Sequence, residues 1–374
     1  MAAGAHFEVR SGREYRMHRI INAQASLLEL RLDKPVGGSG ITHVDVVVVD
    51  VSDDVGTTGL GFTYALGGGG KVVLECARTQ LDKAITGRAL VHPNVLWETI
   101  ASRFNRTGWG PNLVALAAID LATWDLYSKT LGLPLASAVG GAPRPIPVYG
   151  SGGFTAAQSA LEAAHVAEGY VKRGFQAVKP RAQGNISRDS QILKAVRCAV
   201  GDGATMMVDA NEKCDLAGAK QLLLLARDHD VAFVEEPLPA HALSAYRALT
   251  RCAPVAIAAG EHLQTIADFL PYLSEGLIDV VQPDLAMMGG ITPILKLCTL
   301  AETFNLTLSP HFLPGLFVHV AAASKTVRQL EEFPLIEPLF EGWPTCDAQG
   351  RLMPGTENGH GLRLRSSQRD GLAP

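Results

Sequence analysis

Along residues 20–51, apolar and polar positions alternate through ASLLELRL and HVDVVVVDV, two runs rich in β-branched residues, with DKPVGGSG between them. A period of two with a glycine-rich connector predicts an antiparallel hairpin or meander carrying a mobile loop. LGFTYAL continues as a strand, a second glycine tract at 67–70 follows, and KVVLECARTQLDKAIT has helical spacing. Neither GxGxxG nor GK[ST] accompanies that tract, so it reads as a flap or turn rather than a phosphate cradle. Residues 112–131, NLVALAAIDLATWDLYSKTL, form an apolar helix ending near Gly132, and its interior Asp120 and Asp125 read as surface or capping charges.

After GAPRPIPVYG the grammar changes. Short apolar runs (IPVYGS, FQAVKP, TMMVDA, AFVEEP, VAIAAGE, IDVVQPD, LTLSPH and TVRQLEE) alternate with stretches apolar on one face, such as AALEAAHVAEGYVKRG and AGAKQLLLLARD. Strands alternating with helices imply parallel pairing with the helices outside, and close to eight of them favour a closed barrel over an open sheet. The change places a domain boundary near Arg144, and the glycine-rich tail PGTENGHGLRLR is free to return to the N-terminal part.

Each run ends in a polar or charged residue. Lys179 and Arg181 come first, then Asp209 and Asn211, Glu235 and Glu236, Glu261 and His262, Asp284, His311 and Glu331. Asp209, Glu235 and Glu261 are spaced 26 residues apart, the length of one strand-helix unit, and in a barrel such positions converge on the C-terminal mouth. One carboxylate there could be a helix N-cap, but consecutive strand ends that share the habit point to a site. Three converging carboxylates suit a hard divalent cation that leaves coordination positions for substrate.

A chain of 374 residues accommodates a barrel plus a smaller domain. A net charge of -4 and a pI of about 6.3 offer no basic stripe for phosphates, which argues against nucleic acid and for a small-molecule partner. The six cysteines include no CxxC and read as reduced, structural thiols. No membrane-length apolar run is present, and MAAGAHFEVRSGREY lacks the apolar core of a leader, so a cytoplasmic protein is expected.

These pieces resemble the enolase superfamily, and within it the mandelate racemase-like subgroup: AIDLATWD, AVKPR, VDAN, EEP, GEH, QPDLAMMGGIT, SPH and Glu331 in LEEFP occur in the family's order over nearly the whole chain. The resemblance implies an α/β chain with a modified (β/α)7β TIM barrel at 145–349, and an α+β capping domain at 1–144 completed by 350–374. It implies that Asp209, Glu235 and Glu261 bind Mg²⁺, with Mn²⁺ a possible substitute, and that Asn211 and Glu236 stand beside them. It makes Asp284 and His311 a hydrogen-bonded dyad with His311 as base, Glu331 a carboxylic acid facing the substrate carboxylate, and Lys179 the first member of a K-x-K pair. A homo-oligomer is also implied.

Such parts share one task. Removing a proton α to a carboxylate concentrates negative charge on the carboxylate oxygens, where a cation and hydrogen-bond donors can meet it. His311 then serves as a base near neutral pH. Arg181 departs from the family pattern, because arginine cannot act as the second base that lysine supplies. One base suits β-elimination of water, so the expected activity is a Mg²⁺-dependent sugar acid dehydratase giving a 2-keto-3-deoxy acid. Racemase, epimerase or cycloisomerase chemistry shares the first step and is the alternative; a non-catalytic metal-bound ligand-binding protein is the remote one. Arg181 either grips substrate or pairs with Glu235 or Glu236. His262 is either a substrate contact or a packed neighbour, and His319 reads as structural.

Overall fold

In the computed structural model, which describes residues 18–372, the period-two segment forms an antiparallel sheet in the order β1 (Ile20–Val36), β2 (Ile41–Asp53), β3 (Thr58–Leu66). MAAGAHFEVRSGREY, with the leader reading placed on it, lies outside the described residues. Alternate residues of β2 serve two cores. Val44, Val46 and Val48 pack toward the barrel, while Val47, Val49 and Val51 pack toward the first helices, as the alternation of Cβ directions along a strand requires.

Those helices are α1 (Gly70–Ala84), α2 (Pro93–Ala101) and α3 (Gly110–Thr130). The long helix lies close on β3: a Cβ at Gly59 would stand 2.7 Å from Leu126 Cβ, so the glycine is what permits the approach. The loop expected over DKPVGGSG is half strand, because β1 runs on to Val36 and only residues 37–40 turn. Asp120 and Asp125 are not surface charges. Both are buried, Asp120 accepting from the Thr292 backbone N–H and Oγ1, Asp125 from the N–H groups of Leu60 and His360 and from Lys129.

A short helix, α4 (Leu135–Ala138), leads into eight strands that run parallel to one another: β4 (Ile146–Gly150), β5 (Ala177–Val178), β6 (Thr205–Asp209), β7 (Val231–Glu235), β8 (Ala256–Ala259), β9 (Val280–Val281), β10 (Thr307–Leu308) and β11 (Leu330–Glu332). Each pairs with its predecessor except β11, which pairs with β4. A parallel bridge from Leu308 to Val327 joins the two ends of the path and curls the sheet into a barrel. Helices α5 (Ala160–Lys172), α6 (Ile186–Val200), α7 (Leu216–Asp228), α8 (Leu243–Thr250), α9 (Ile266–Ser274), α10 (Leu285–Met288), α11 (Ile291–Thr303) and α12 (Pro314–Ala323) connect the strands. The tail folds back over α3 and β3, where His360 donates its backbone N–H to Asp125 and sets its ring against the Leu60 carbonyl. No helix among the described residues is long and apolar enough to cross a membrane.

Candidate active site

The barrel's strands are buried on both faces and read as nearly unbroken apolar runs, so a charged last residue has only the mouth to occupy. Asp209 ends β6 and pairs in register with Glu235 at the end of β7. Glu261 follows β8 after Gly260, whose φ of 139° no side chain would adopt readily and whose Cβ would meet Phe269 at 2.7 Å. Parallel bridges set Arg181 beside Asp209 and Asp284 beside His311. Asn211, Glu212, Glu236, Phe312 and Leu313 all have positive φ, a concentration of strained backbone around the mouth.

Three oxygens, one from each of Asp209, Glu235 and Glu261, come within 4.8 Å of one another. In each carboxylate the two oxygens are unequal. Asp209 Oδ1 accepts from the Asn211 N–H at 2.8 Å, and Glu235 Oε2 accepts from Gln282 Nε2 at 3.0 Å and from Lys179. Glu235 Oε1 is buried with no hydrogen-bond partner, Asp209 Oδ2 faces the Arg181 guanidinium, and Glu261 Oε2 lies 3.4 Å from His311 Nε2. Three buried carboxylates with oxygens this close together are the hard donor set a divalent cation requires. The residues fit the ion. Arg181 contributes a guanidinium against Asp209 Oδ2 and donates to Asn211 Oδ1 at 3.2 Å; the pairing with Glu235 or Glu236 considered above does not occur.

Lys179 is wholly buried. Its ammonium pairs with Glu235 and, at 2.8 Å, with Glu331 Oε1, above the ring of Tyr149. Burial alone would raise the Glu331 pKa, but the charges of Lys179, His311 and Arg181 outweigh it and hold the carboxyl well below its usual range. The ion pair with Lys179 favours the ionised form of Glu331, and Phe312 N–H donates to its other oxygen at 2.9 Å.

His311 Nδ1 donates to Asp284 Oδ2 at 2.7 Å, leaving Nε2 turned toward Glu261 Oε2 at 3.4 Å. Burial would lower its pKa, yet the Glu261 charge and the Asp284 bond, with further help from Glu331, push it up to about 10. His262 is half-exposed and donates Nδ1 to Glu236 at 2.9 Å, a bond that raises its pKa to about 9. His319 is buried away from the mouth, and burial followed by the charge of His360 presses its pKa down to about 3.

A cavity of about 310 Å³ joins Arg181, Asn211, Glu261, His262 and His311 beneath the turn at 37–39. Lys179, Glu331, Asp209, Glu235 and Asp284 are buried and do not line it. A second, more apolar cavity, lined by Val72, Val73 and Val114, shares Glu261, His262 and His311 with the first. Sequence reasoning missed Gln282 and Tyr149, which support Glu235 and Lys179, and Tyr64, which reaches Asp284 from β3. Gln282 stood in the QPD motif; Tyr64 carried no signal beyond an ordinary strand pattern.

Comparison with known proteins agrees on one kinship. An enolase C-terminal domain-like family model matches residues 162–368, and the mandelate racemase / muconate lactonizing enzyme N-terminal domain matches 34–140. L-talarate/galactarate dehydratase of Salmonella typhimurium (strain LT2) is 29% identical over 367 residues, covering 94% of this chain and 90% of that protein. The 3,6-anhydro-alpha-L-galactonate cycloisomerase of Streptomyces coelicolor is 29% identical over 324 residues, covering 86% and 89%. The crystal structure of L-talarate dehydratase from Polaromonas sp. JS666, complexed with Mg and L-glucarate, superposes with a TM-score of 0.88 at 29% identity, covering 96% of this chain and 98% of that one.

Proposed function

Because this chain belongs to the mandelate racemase / muconate lactonizing enzyme family of the enolase superfamily, we propose that it is a Mg²⁺-dependent hydro-lyase that removes water from a sugar acid, an aldonate or aldarate. The observation that carries the reading is the meeting of three buried carboxylates, Asp209, Glu235 and Glu261, beside the His311–Asp284 dyad and an arginine that cannot take a proton. A similar dehydratase is known with Mg and L-glucarate bound, which supports both the ion and a small carboxylate partner. Mn²⁺ as a substitute, a homo-oligomeric assembly and a cytoplasmic location accompany the proposal.

A divalent cation held by Asp209, Glu235 and Glu261 would supply positive charge to the substrate carboxylate as negative charge gathers there. The chain's own residues do the rest. Lys179 holds Glu235 and Glu331 in place, Asp284 orients His311 through Nδ1, and neutralising the Glu261 charge with a bound cation would remove the largest influence that raises the imidazole pKa and so free Nε2 to accept. His311 Nε2 takes the α-proton from C2, the C2–C3 double bond forms as the C3–O bond breaks, and the same nitrogen returns its proton to the departing hydroxyl. Water and an enol result, and the enol tautomerises to the 2-keto-3-deoxy acid. Arg181 and Asn211, hydrogen-bonded to each other at the cavity wall, face a substrate hydroxyl or distal carboxylate.

A second reading, as racemase, epimerase or cycloisomerase, is favoured by His262, a second imidazole in the same cavity one residue beyond Glu261. Incubation with a panel of mono- and diacid sugars plus Mg²⁺, assayed for 2-keto acid with semicarbazide, tests the dehydratase. Turnover of an aldonate or aldarate is expected. Exchange of the α-proton for solvent deuterium with inversion and no loss of water would transfer the assignment to the second reading.

A further inference from the structure

Tyr64 belongs to the antiparallel sheet, not the barrel, yet its side chain is buried at the barrel mouth. Its hydroxyl donates to Asp284 Oδ2, the oxygen that also accepts from His311 Nδ1, while Asp284 Oδ1 accepts the Met287 N–H at 2.9 Å. The ring stands edge-on to Phe312, the residue after His311, with centroids 4.9 Å apart at 85°. Two oxygens of Asp284 thus receive three donors from three separate parts of the chain, which fixes the plane of the carboxylate as well as its distance from the imidazole. Burial, and next the charge of Asp284, hold the Tyr64 pKa well above its ordinary value, so the hydroxyl remains a donor.

We infer that Tyr64 is a positioning residue for proton transfer at His311, acting through Asp284. A carboxylate free to rotate would still attract the imidazole but would let Nε2 wander from the substrate carbon, and a base contributes only when held within hydrogen-bond reach of its proton. Nothing else in the N-terminal sheet touches the dyad with a polar atom among the hydrogen bonds of the described residues. The inference rests on the reading of His311 as base.

The test is Tyr64→Phe, which removes one oxygen and keeps the ring against Phe312, alongside Asp284→Asn and the double variant. In substrate-free protein the downfield Nδ1–H resonance of His311, assigned by its loss in His311→Asn, should shift or broaden in Tyr64→Phe. With the acid identified by the panel, kcat should fall about 10- to 100-fold with KM within about twofold, the scale typical of residues that orient a ligand or base from behind. The double variant should be no slower than Asp284→Asn alone, because the two act on one path. An unmoved resonance, or losses that multiply in the double variant, overturns the inference. The resonance is read without turnover, so it decides the role of Tyr64 even if no acid in the panel reacts. Should Tyr64→Phe not fold, a cross-peak between the Tyr64 hydroxyl proton and the His311 Nδ1–H in the unaltered protein decides instead, and its absence overturns the proposal.

Discussion

Replacing Lys179 with methionine tests whether this ammonium is chiefly an electrostatic keystone. The side chain has no exposed surface and lies between Glu235 and Glu331, so the variant would leave two buried carboxylates facing each other with no cation between them. Removing one partner of a buried pair costs about 3–5 kcal/mol, because the remaining charge keeps its desolvation penalty and loses its compensation. Two orphaned anions do not double that figure here. Glu235 keeps the Gln282 amide and Glu331 keeps the Phe312 N–H, and each can also take up a proton. At about 2 °C per kcal/mol for a chain of this size, thermal unfolding followed by circular dichroism should show a drop of roughly 6–10 °C. The decisive arm is Glu331→Gln, which by itself strips Lys179 of a partner and destabilises, but in the Lys179→Met background removes an orphan and should recover a substantial part of the loss. Lys179→Met melting within about 2 °C of the parent, or a Glu331→Gln change that only adds to the damage, would refute the electrostatic argument.

Two further outcomes follow from the same geometry. His311 has a folded pKa near 10 against an ordinary value near 6.5, so its contribution to stability is complete below pH 6.5 and is lost as pH rises toward 10; the metal-free melting temperature should decline over that window, less steeply in His311→Asn and less steeply with saturating Mg²⁺, and equal slopes in all three would contradict it. At the flap, a Cβ on Gly38 would stand 2.6 Å from Asn211 Cγ and force that side chain off Arg181; Gly38→Ala should raise KM several-fold while leaving the melting temperature within about 2 °C, and an unchanged KM would show that the turn does not seat on Asn211.

The sequence made the barrel legible for a physical reason: parallel strands covered on both faces must be apolar throughout, so a charged terminal residue is conspicuous. The same logic exposed Asp209, Glu235, Glu261, Asp284 and His311, each at or just beyond a strand end. Where it failed, the missing partner lay far off in the chain. Asp120 looked like a surface charge because nothing nearby answers it, whereas Thr292, 172 residues on, supplies two donors. Asp125 is answered by Leu60 and His360, and Asp284 by Tyr64, 220 residues earlier. The extent of β1 was hidden differently: Pro35 and the glycines suggested loop, but β1 is an edge strand, where a proline need not donate to a ladder, and Val36 pairs with Ile41 after a register shift. Only the alternative reading of Arg181, as a partner of Glu235 or Glu236, named the wrong carboxylate, because sequence spacing does not reveal that 181 and 209 bridge directly across neighbouring strands.

That direct bridge bears on which reaction the site performs. Inverting a stereocentre needs proton carriers on both faces of the carbon, and the residue two positions past Lys179 is where a second base would stand. Here it is a guanidinium already committed to Asp209 and Asn211. Lys179 cannot take its place, being buried between two anions that hold it protonated against the pull of burial. The remaining carrier is His262, whose Nδ1 is tied to Glu236 and whose contact with Glu261 is through Oε1, while His311 approaches Oε2. In the elimination proposed above, His311 serves both C2 and the departing C3 hydroxyl, which leaves His262 as a contact for the substrate. An epimerase would require His262 Nε2 to reach C2 itself; Glu236 holds the ring by its other nitrogen and so fixes how far that reach extends.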